Sequence, residues 1–244
     1  MKHFKGDLHI HTCLSPCGEL EMSPLRIVEE CLTKGLDFIA ICDHNSAENT
    51  GAAARAGTKL GIHVLPGLEI NSIEEIHVLA VFDREEQALK MQEVVYSCLQ
   101  GTNRPDIFGE QVVVNEADEV EGFNGRLLIA STQLNIDAIV REIHSLGGIA
   151  IASHADRPSY SIISQLGFIP TGLELDAVEI SGKSDIKTFI ADNSGLRGLP
   201  VITSSDAHVP DDIGRRYTSF FIEAPCVNEL RLAFQNKSER RIVY

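Results

Sequence analysis

Tryptophan is absent from this chain, and only 4 tyrosines and 10 phenylalanines are spread over its 244 residues. Proteins that grip single-stranded nucleic acid without sequence preference stack bases on aromatic side chains along a basic groove, and neither half of that arrangement is conspicuous here. Positive charge is scarce too: 21 lysines and arginines face 35 acidic residues, giving a net charge of −14 with histidine neutral. An acidic surface repels a phosphodiester backbone, so long nucleic acids are disfavoured as partners. Small anionic substrates stay admissible, because a bound divalent ion concentrates positive charge at one point. Long apolar runs are also missing. No segment approaches the roughly 20 residues needed to span a bilayer, and the opening residues Met1 to Asp7 carry no signal-peptide core. The expectation is a non-membrane, cytoplasmic protein whose six cysteines are thiols or metal ligands rather than structural disulfides.

What the chain does have is a rhythm of short apolar runs and amphipathic stretches. Strand candidates are Asp7–Ile10, Phe38–Cys42, Val64–Ile70 with a break at Pro66-Gly67, Ile76–Phe82, Ile149–Ala152, Ala177–Ile180, Val201–Thr203, Tyr217–Ile222 and Arg240–Val243. Helical patterns lie between most of them. Ser23-Pro24 reads as an N-cap followed by proline at the first helical position, and Gly35 as the stop. Such alternation implies an α/β protein with a mostly parallel sheet, and this many units favour a closed barrel. Residues 1–244 read as one catalytic domain. Residues 101–131 break the rhythm and are expected to be an insertion, a hairpin over one barrel mouth or a small lid.

The chemistry-bearing side chains cluster at strand ends. His9 and His11 end the first strand, Asp43-His44 the second, Glu69 the third and His154 the Ile149 strand, while Asp206 and His208 follow the Val201 strand. In a parallel α/β barrel the C-terminal strand ends open on one face, which carries the active site. Imidazole and carboxylate together suit zinc, iron or manganese. In His9-Ile10-His11 the two rings fall on the same side of an extended strand. A single histidine is more often satisfied by backbone groups, and that reading is applied to His3, His63 and His144. It fails for the whole set, since burying so many polar groups together is costly. His77, at the start of its apolar run, is undecided on these grounds.

Asp7-Leu8-His9-Ile10-His11-Thr12, Ile41-Cys42-Asp43-His44-Asn45, Pro66-Gly67-Leu68-Glu69-Ile70 followed by His77-Val78-Leu79, Ala152-Ser153-His154, and Ser205-Asp206-Ala207-His208 resemble, in order, the motifs of the polymerase-and-histidinol-phosphatase (PHP) family of metal-dependent phosphoesterases. The resemblance implies a distorted seven-stranded (β/α) barrel, TIM-like, holding two or three divalent ions. It would put His9, His11, Glu69 and Asp206 on the first ion. Glu69 would bridge to a second held by His77 and His154, and His44 and His208 would take a third with one ligand from the loop after His11. That loop departs from the commoner pattern, and its candidate ligand is Cys17. Cys17 is either a thiolate ligand, favouring zinc or iron, or a thiol that binds nothing, with a reversible Cys13–Cys17 disulfide as a third reading.

The function implied is hydrolysis of a phosphate ester, mono- or diester, of a small metabolite or nucleotide by metal-bound hydroxide. Arg157 is the candidate for holding phosphate oxygens and for catalysis, against a surface salt bridge with Asp156. Lys183 is a weaker substrate-binding candidate, against an ordinary helix-start residue, and Arg215 and Arg216 qualify by proximity alone. Asp7 is expected to orient a metal-bound histidine, and Asp43 to do the same or assist proton transfer. The alternatives are a nuclease on short single-stranded ends, a C–N amidohydrolase, and a non-catalytic metal-holding regulatory module. Glu69, standing where related hydrolases often carry a carbamylated lysine, favours phosphate chemistry over C–N hydrolysis.

Overall fold

The computed structural model describes residues 1–181, 186–196 and 198–244. The chain runs through β1 (Lys2–Ile10), α1 (Pro24–Lys34), β2 (Phe38–Ile41), α2 (Thr50–Leu60), β3 (His63–Asn71), β4 (His77–Val81) and α3 (Glu85–Cys98). An excursion follows with a short helix α4 (Pro105–Phe108) and the strands β5 (Val112–Val114) and β6 (Val120–Phe123). The chain returns through α5 (Ile136–Ser145), β7 (Ile149–Ala152), α6 (Ile162–Leu166), β8 (Ala177–Glu179), α7 (Ile186–Asp192), β9 (Val201–Ile202), β10 (Thr218–Ile222), α8 (Val227–Phe234) and β11 (Arg241–Val243).

Among the described residues, nine strands form one sheet in the order β11-β10-β1-β2-β3-β4-β7-β8-β9. The sheet curls almost into a barrel. Just beyond β9, Ala207 makes a parallel bridge to Ile10 at the end of β1, and the His11 amide donates to the Ala207 carbonyl at 3.0 Å. The expected count of seven strands is therefore corrected to nine, because β10 and β11 add an antiparallel flap beside β1. The expectation of a mostly parallel sheet is corrected as well. β1, β2 and β3 pair in parallel, as do β7, β8 and β9, but β4 is antiparallel to both β3 and β7. A parallel crossover needs a dozen or more residues, and only residues 72–76 separate β3 from β4.

The break read at Pro66-Gly67 is a change of partner within one strand. Residues up to Pro66 pair with β2, and those from Gly67 pair with β4. A Cβ on Gly67 would sit 2.7 Å from the Ala80 carbonyl oxygen and 3.0 Å from the Cys42 sulfur, so the close approach of these strands requires glycine.

Both faces of the sheet are buried, which explains why its strands read as continuous apolar runs. One set of alternating residues, including Leu8, Phe38, Ala40, Leu65, Leu79, Ile149 and Ile151, forms a core that continues into α8 through Leu230 and Phe234. The opposite set packs against helices. Ile39 and Ile41 meet Ile27 and Val28 of α1, and Val78 and Ala80 meet Met91 of α3 and Ile139 of α5. Helix α1 begins after extended Ser23 and ends at left-handed Gly35 (φ 68°), as its sequence signals indicate. Its first turn is capped by Asp118 of the excursion, which accepts from the Leu25 amide at 3.0 Å and from the Ser23 hydroxyl.

The excursion is built as a hairpin fastened over the strand-end loops. Val112 donates through its amide to the Cys13 carbonyl, and Asn49 joins it through bonds to the Val112 carbonyl and the Val114 amide. Asn45 donates through its side-chain amide to the carbonyls of Leu128 (2.7 Å) and Ala130 (2.8 Å). No described helix is long and apolar enough to cross a membrane.

Candidate metal centre

The strand ends deliver the side chains to one place. His9 lies in β1 and His11 just beyond it; His44 follows β2, Glu69 lies in β3, His154 follows β7, and Asp206 and His208 follow β9. His77 is the first residue of β4. Because β4 runs antiparallel, its beginning lies at the same mouth as the other strands' ends, which is why spacing alone left this histidine undecided.

The geometry centres on Glu69, which is almost wholly buried. Its Oε1 lies 3.0 Å from His77 Nδ1, 3.3 Å from His9 Nε2 and 3.3 Å from His154 Nε2. Its Oε2 lies 3.1 Å from His44 Nδ1 and 3.5 Å from His11 Nε2. Asp206 Oδ1 faces His11 Nε2 at 3.1 Å and His9 Nε2 at 3.2 Å. Burial opposes ionisation of Glu69, yet His77, His9, His154 and His44 hold its carboxyl well below the usual range. Burial likewise opposes charge on His9, but Asp206, Glu179 and Glu69 overcome it and raise that imidazole well above its ordinary value.

Three sets of donor atoms lie within 4.8 Å of one another: His9, His11 and Asp206; His44, Glu69 and His77; and His11, His44 and His208. Proximity alone does not identify a metal site, but hydrogen bonding provides a further test. Glu69 Oε1 and His77 Nδ1 are buried and 3.0 Å apart, yet neither makes a hydrogen bond. Buried polar atoms are almost always paired, and donor atoms that converge without bonding each other are arranged as ligands around an ion would be. The residues present fit a metal centre.

The ring orientations are fixed from behind. His9 Nδ1 meets Glu179 Oε2 at 2.9 Å, which leaves Nε2 facing Glu69 and Asp206. His11 Nδ1 donates to Ser15 Oγ at 3.0 Å, and that hydroxyl donates to Asp43 Oδ1 at 2.6 Å. His208 Nδ1 donates to the Asp206 carbonyl at 2.9 Å. Glu179 and Ser15 were not singled out as site residues from the sequence. Glu179 was recognisable as a carboxylate closing the apolar run of β8, the same signal that marks Glu69.

Other expectations change. Asp43 is fully buried, accepts from the Thr12 amide, the Thr12 hydroxyl and the Ser15 hydroxyl, and does not line the pocket. Asp7 does not touch an imidazole. It accepts from the backbone amides of Ser205 (3.0 Å) and Gly214 (3.2 Å), tying β1 to the loop that carries Asp206, and burial raises its carboxyl to about 6. Arg157 pairs with Asp206 Oδ2 at 2.6 Å, while Asp156 instead accepts from the Ser181 amide and hydroxyl. Arg215 pairs with Asp212 and is exposed. Lys183 lies outside the described residues. His3, His63 and His144 lie away from the site; His144 pairs with Asp176.

A pocket of about 190 Å3 opens onto the centre, lined among others by Cys17, His154, Arg157, Tyr160 and Ile129 of the excursion. Tyr160 stacks on His77 with ring centroids 4.7 Å apart and takes the His77 amide on its carbonyl oxygen. All six cysteines are free thiols, and Cys13 is buried against Val112. Burial works against ionising Cys17, but His44 and His208 prevail and lower its thiol to about 6.

Fold and site together define a curled α/β barrel with a histidine–carboxylate centre at the strand ends. The family model for the PHP domain matches residues 7–166, and that for the PHP-associated region matches residues 191–237. The chain belongs to the PHP domain family. An uncharacterised protein of Bacillus subtilis is 30% identical over 122 residues, covering 47% of this chain and 30% of that protein. A 5'-3' exoribonuclease of Haemophilus influenzae is 22% identical over 190 residues, covering 62% of this chain and 68% of the relative. Among solved structures, the lesion-specific endonuclease of Pyrococcus furiosus superposes with a TM-score of 0.72 at 19% identity, covering 99% of this chain and 58% of that one. An amidohydrolase from Chromobacterium violaceum, with bound sulfate and no metal, gives 0.60 at 17% identity, covering 98% and 97%. At these identities the structural likeness shows the fold. The chain spans less than a third of the Bacillus relative and little more than half of the endonuclease.

Proposed function

We propose that this protein is a metal-dependent hydrolase of phosphate esters, and that its substrate is a nucleotide or the end of a short nucleic acid. The observation that carries the reading is the Glu69 carboxylate, buried among four imidazoles at 3.0 to 3.3 Å with one oxygen left unbonded. His9, His11 and Asp206 would hold one ion, Glu69 would be shared with a second held by His77 and His154, and His44 and His208 would hold a third. Ions bound there would activate water as the nucleophile and offset the charge of the phosphoryl group.

The protein's own residues account for the rest of the chemistry. Arg157, about a third exposed at the pocket wall, presents its guanidinium beside Asp206 and has a buried Nε without a partner. It can therefore take substrate phosphate oxygens while still touching Asp206. Glu179, Ser15 and the Asp206 carbonyl each fix one imidazole in the tautomer that points its free nitrogen inward. The pocket of about 190 Å3 is smaller than a typical site for a drug-sized ligand, roughly 300 Å3 and above, so it encloses a phosphoryl group with its nearest substituent and leaves the remainder outside. The relatives named an exoribonuclease and an endonuclease support nucleotide esters over other phosphate esters. The amidohydrolase neighbour keeps C–N hydrolysis as a second reading. Among the described residues no lysine lines the pocket, which favours the phosphate reading.

Elemental analysis of purified protein, paired with phosphate release from mononucleotides, short oligonucleotides and sugar phosphates, tests this. Bound divalent metal with turnover on a nucleotide ester, and loss of both in Glu69→Ala, is the expected result. Protein that stays metal-free after addition of manganese, zinc or iron(II) refutes the metal centre. Metal-loaded protein active only on amides moves the assignment to C–N hydrolysis.

A further inference from the structure

A pocket of about 190 Å3 takes a phosphoryl group with its nearest substituent and leaves the rest of the substrate at its rim. The rim differs from the floor. His44, Glu69, His77, His154 and Asp206 are buried, whereas Tyr160 and Ile129 line the same pocket and are 42% and 36% exposed. Tyr160 carries the one phenyl-type ring among the lining residues. One face of that ring lies on His77, with centroids 4.7 Å apart and planes 21° from parallel, and His77 is the one ring that packs on it among the described residues. An open aromatic face beside a phosphoryl pocket is a surface on which a nucleobase stacks. We propose that Tyr160 is the platform for the base of a nucleotide substrate, and that it favours purines over pyrimidines because the larger ring system covers more of its face. The inference rests on the phosphate-ester reading above.

The loop after β7 is fastened so that the ring stays in place. The Arg157 amide donates to the His154 carbonyl at 2.9 Å, and the Tyr160 carbonyl accepts from the His77 amide at 3.0 Å. Ser161 then donates through its hydroxyl to the Arg157 carbonyl at 2.8 Å and accepts from the Ser164 amide at 3.0 Å, which ties the loop to the start of α6. Tyr160 stands at φ 56°, an outlying conformation for a bulky residue. Glycine would fit that backbone without strain but would supply no ring. The same loop presents Arg157 three residues earlier, with its guanidinium on Asp206, so the candidate grip on phosphate and the ring leave the strand exit together. Ile129 reaches the rim from the excursion, where the Asn45 side-chain amide donates to the carbonyls on either side of it, those of Leu128 and Ala130. The insertion thereby adds an apolar wall to the rim. A single ring, in a chain with few aromatics and an excess of negative charge, suits one base rather than a long single strand, which would need a row of rings along a basic groove.

The test compares adenosine 5'-phosphate, cytidine 5'-phosphate and ribose 5-phosphate on manganese-loaded wild type, Tyr160→Phe and Tyr160→Asn, asparagine being tolerant of left-handed backbone. Each ligand is read as kcat/KM where it is hydrolysed and as a calorimetric Kd where it is not, and bound metal and melting temperature are measured for every protein. Wild type is expected to favour the adenosine ester, then the cytidine ester, then ribose 5-phosphate. Tyr160→Asn should lose about 5- to 150-fold on the adenosine ester and far less on ribose 5-phosphate, with metal content unchanged. Tyr160→Phe, which keeps the ring, should keep the wild-type order. Equal losses on all three ligands, or loss of metal, would make Tyr160 a support for His77 and overturn the proposal. A wild type that takes ribose 5-phosphate as well as the adenosine ester also overturns it and leaves the phosphate-ester reading standing. Metal-loaded wild type that neither hydrolyses nor binds any of the three removes both.

Discussion

Glu179 offers the sharpest test of how the centre is supported. Its side chain is fully buried, its Oε2 lies 2.9 Å from His9 Nδ1, and its Oε1 has no hydrogen-bond partner. Replacing it with glutamine keeps the volume and an acceptor oxygen but removes the negative charge that makes His9 Nε2 a strong donor. Losing such a partner behind a metal-bound histidine weakens metal affinity by about 10- to 100-fold, or about 1.4 to 2.8 kcal/mol at 1.4 kcal/mol per decade. Glu179→Ala goes further, leaving the Nδ1–H buried and unpaired, which adds about 1 to 3 kcal/mol of instability even without metal. The assay is metal titration against a competing chelator, with thermal melting of the metal-free proteins alongside. Weakened binding in Glu179→Gln with near-normal melting, and losses on both counts in Glu179→Ala, is expected. Glu179→Gln binding metal as tightly as wild type would refute the reasoning and reduce Glu179 to a plug at the end of β8.

Arg157→Ala should lower kcat/KM about 10- to 100-fold, from loss of a charge-assisted bond worth about 1.5 to 3 kcal/mol, with metal content unchanged; parallel loss of metal would make Arg157 a counter-ion of Asp206 instead. Asn45→Ala should raise proteolysis within residues 101–131, since Asn45 anchors that segment through Leu128 and Ala130 and stands at φ 52°, where alanine is strained; an unchanged cleavage rate would show the hairpin is held elsewhere. Melting of the metal-free protein should fall as pH drops through the acid range. The folded pKa values of Glu69 and Asp206 lie below their ordinary values of 4.5 and 3.8, so the stability they contribute is present above those values and lost as the folded values are crossed. Glu69→Gln should flatten that limb, and an equally steep profile in the variant would place the acid sensitivity elsewhere.

The candidate ligand set was legible because chemistry and strand ends coincide in the sequence: His9-Ile10-His11, His44, Glu69, His154 and Asp206-Ala207-His208 all follow apolar runs. Helix α1 was legible because Ser23 and Gly35 punctuate it. Topology was less so. Periodicity marks a strand but carries no direction, and only the shortness of the β3–β4 link betrays that β4 runs backwards. That reversal hid His77. The supporting residues escaped for a different reason. Glu179 closes an apolar run as Glu69 does, but its partner and that of Ser15 are distant in the sequence, at separations of 170 residues for His9–Glu179 and 28 for Ser15–Asp43, so no local pattern encodes the pairing itself. Asp7 was expected to orient a histidine, but its partners are backbone amides, which every residue has and no motif announces.

The backbone shows where local preference gives way to the site. Asn45, His154, Tyr160 and Asp206 all adopt left-handed φ values, 52°, 29°, 56° and 51°, which non-glycine residues rarely take. Each such conformation costs on the order of 1–3 kcal/mol and persists only where the surroundings enforce it. Here they do. Asn45 is held by its own side-chain bonds, Tyr160 by its stacking on His77, and Asp206 by Arg157 and the rings of His9 and His11. Glycine would relieve the strain at His154 and Asp206 but would remove an imidazole and a carboxylate from the centre. The turns at these strand exits bring imidazoles and carboxylates from separate strands to one point, and the buried, hydrogen-bonded barrel beneath them supplies the stability that offsets the strain.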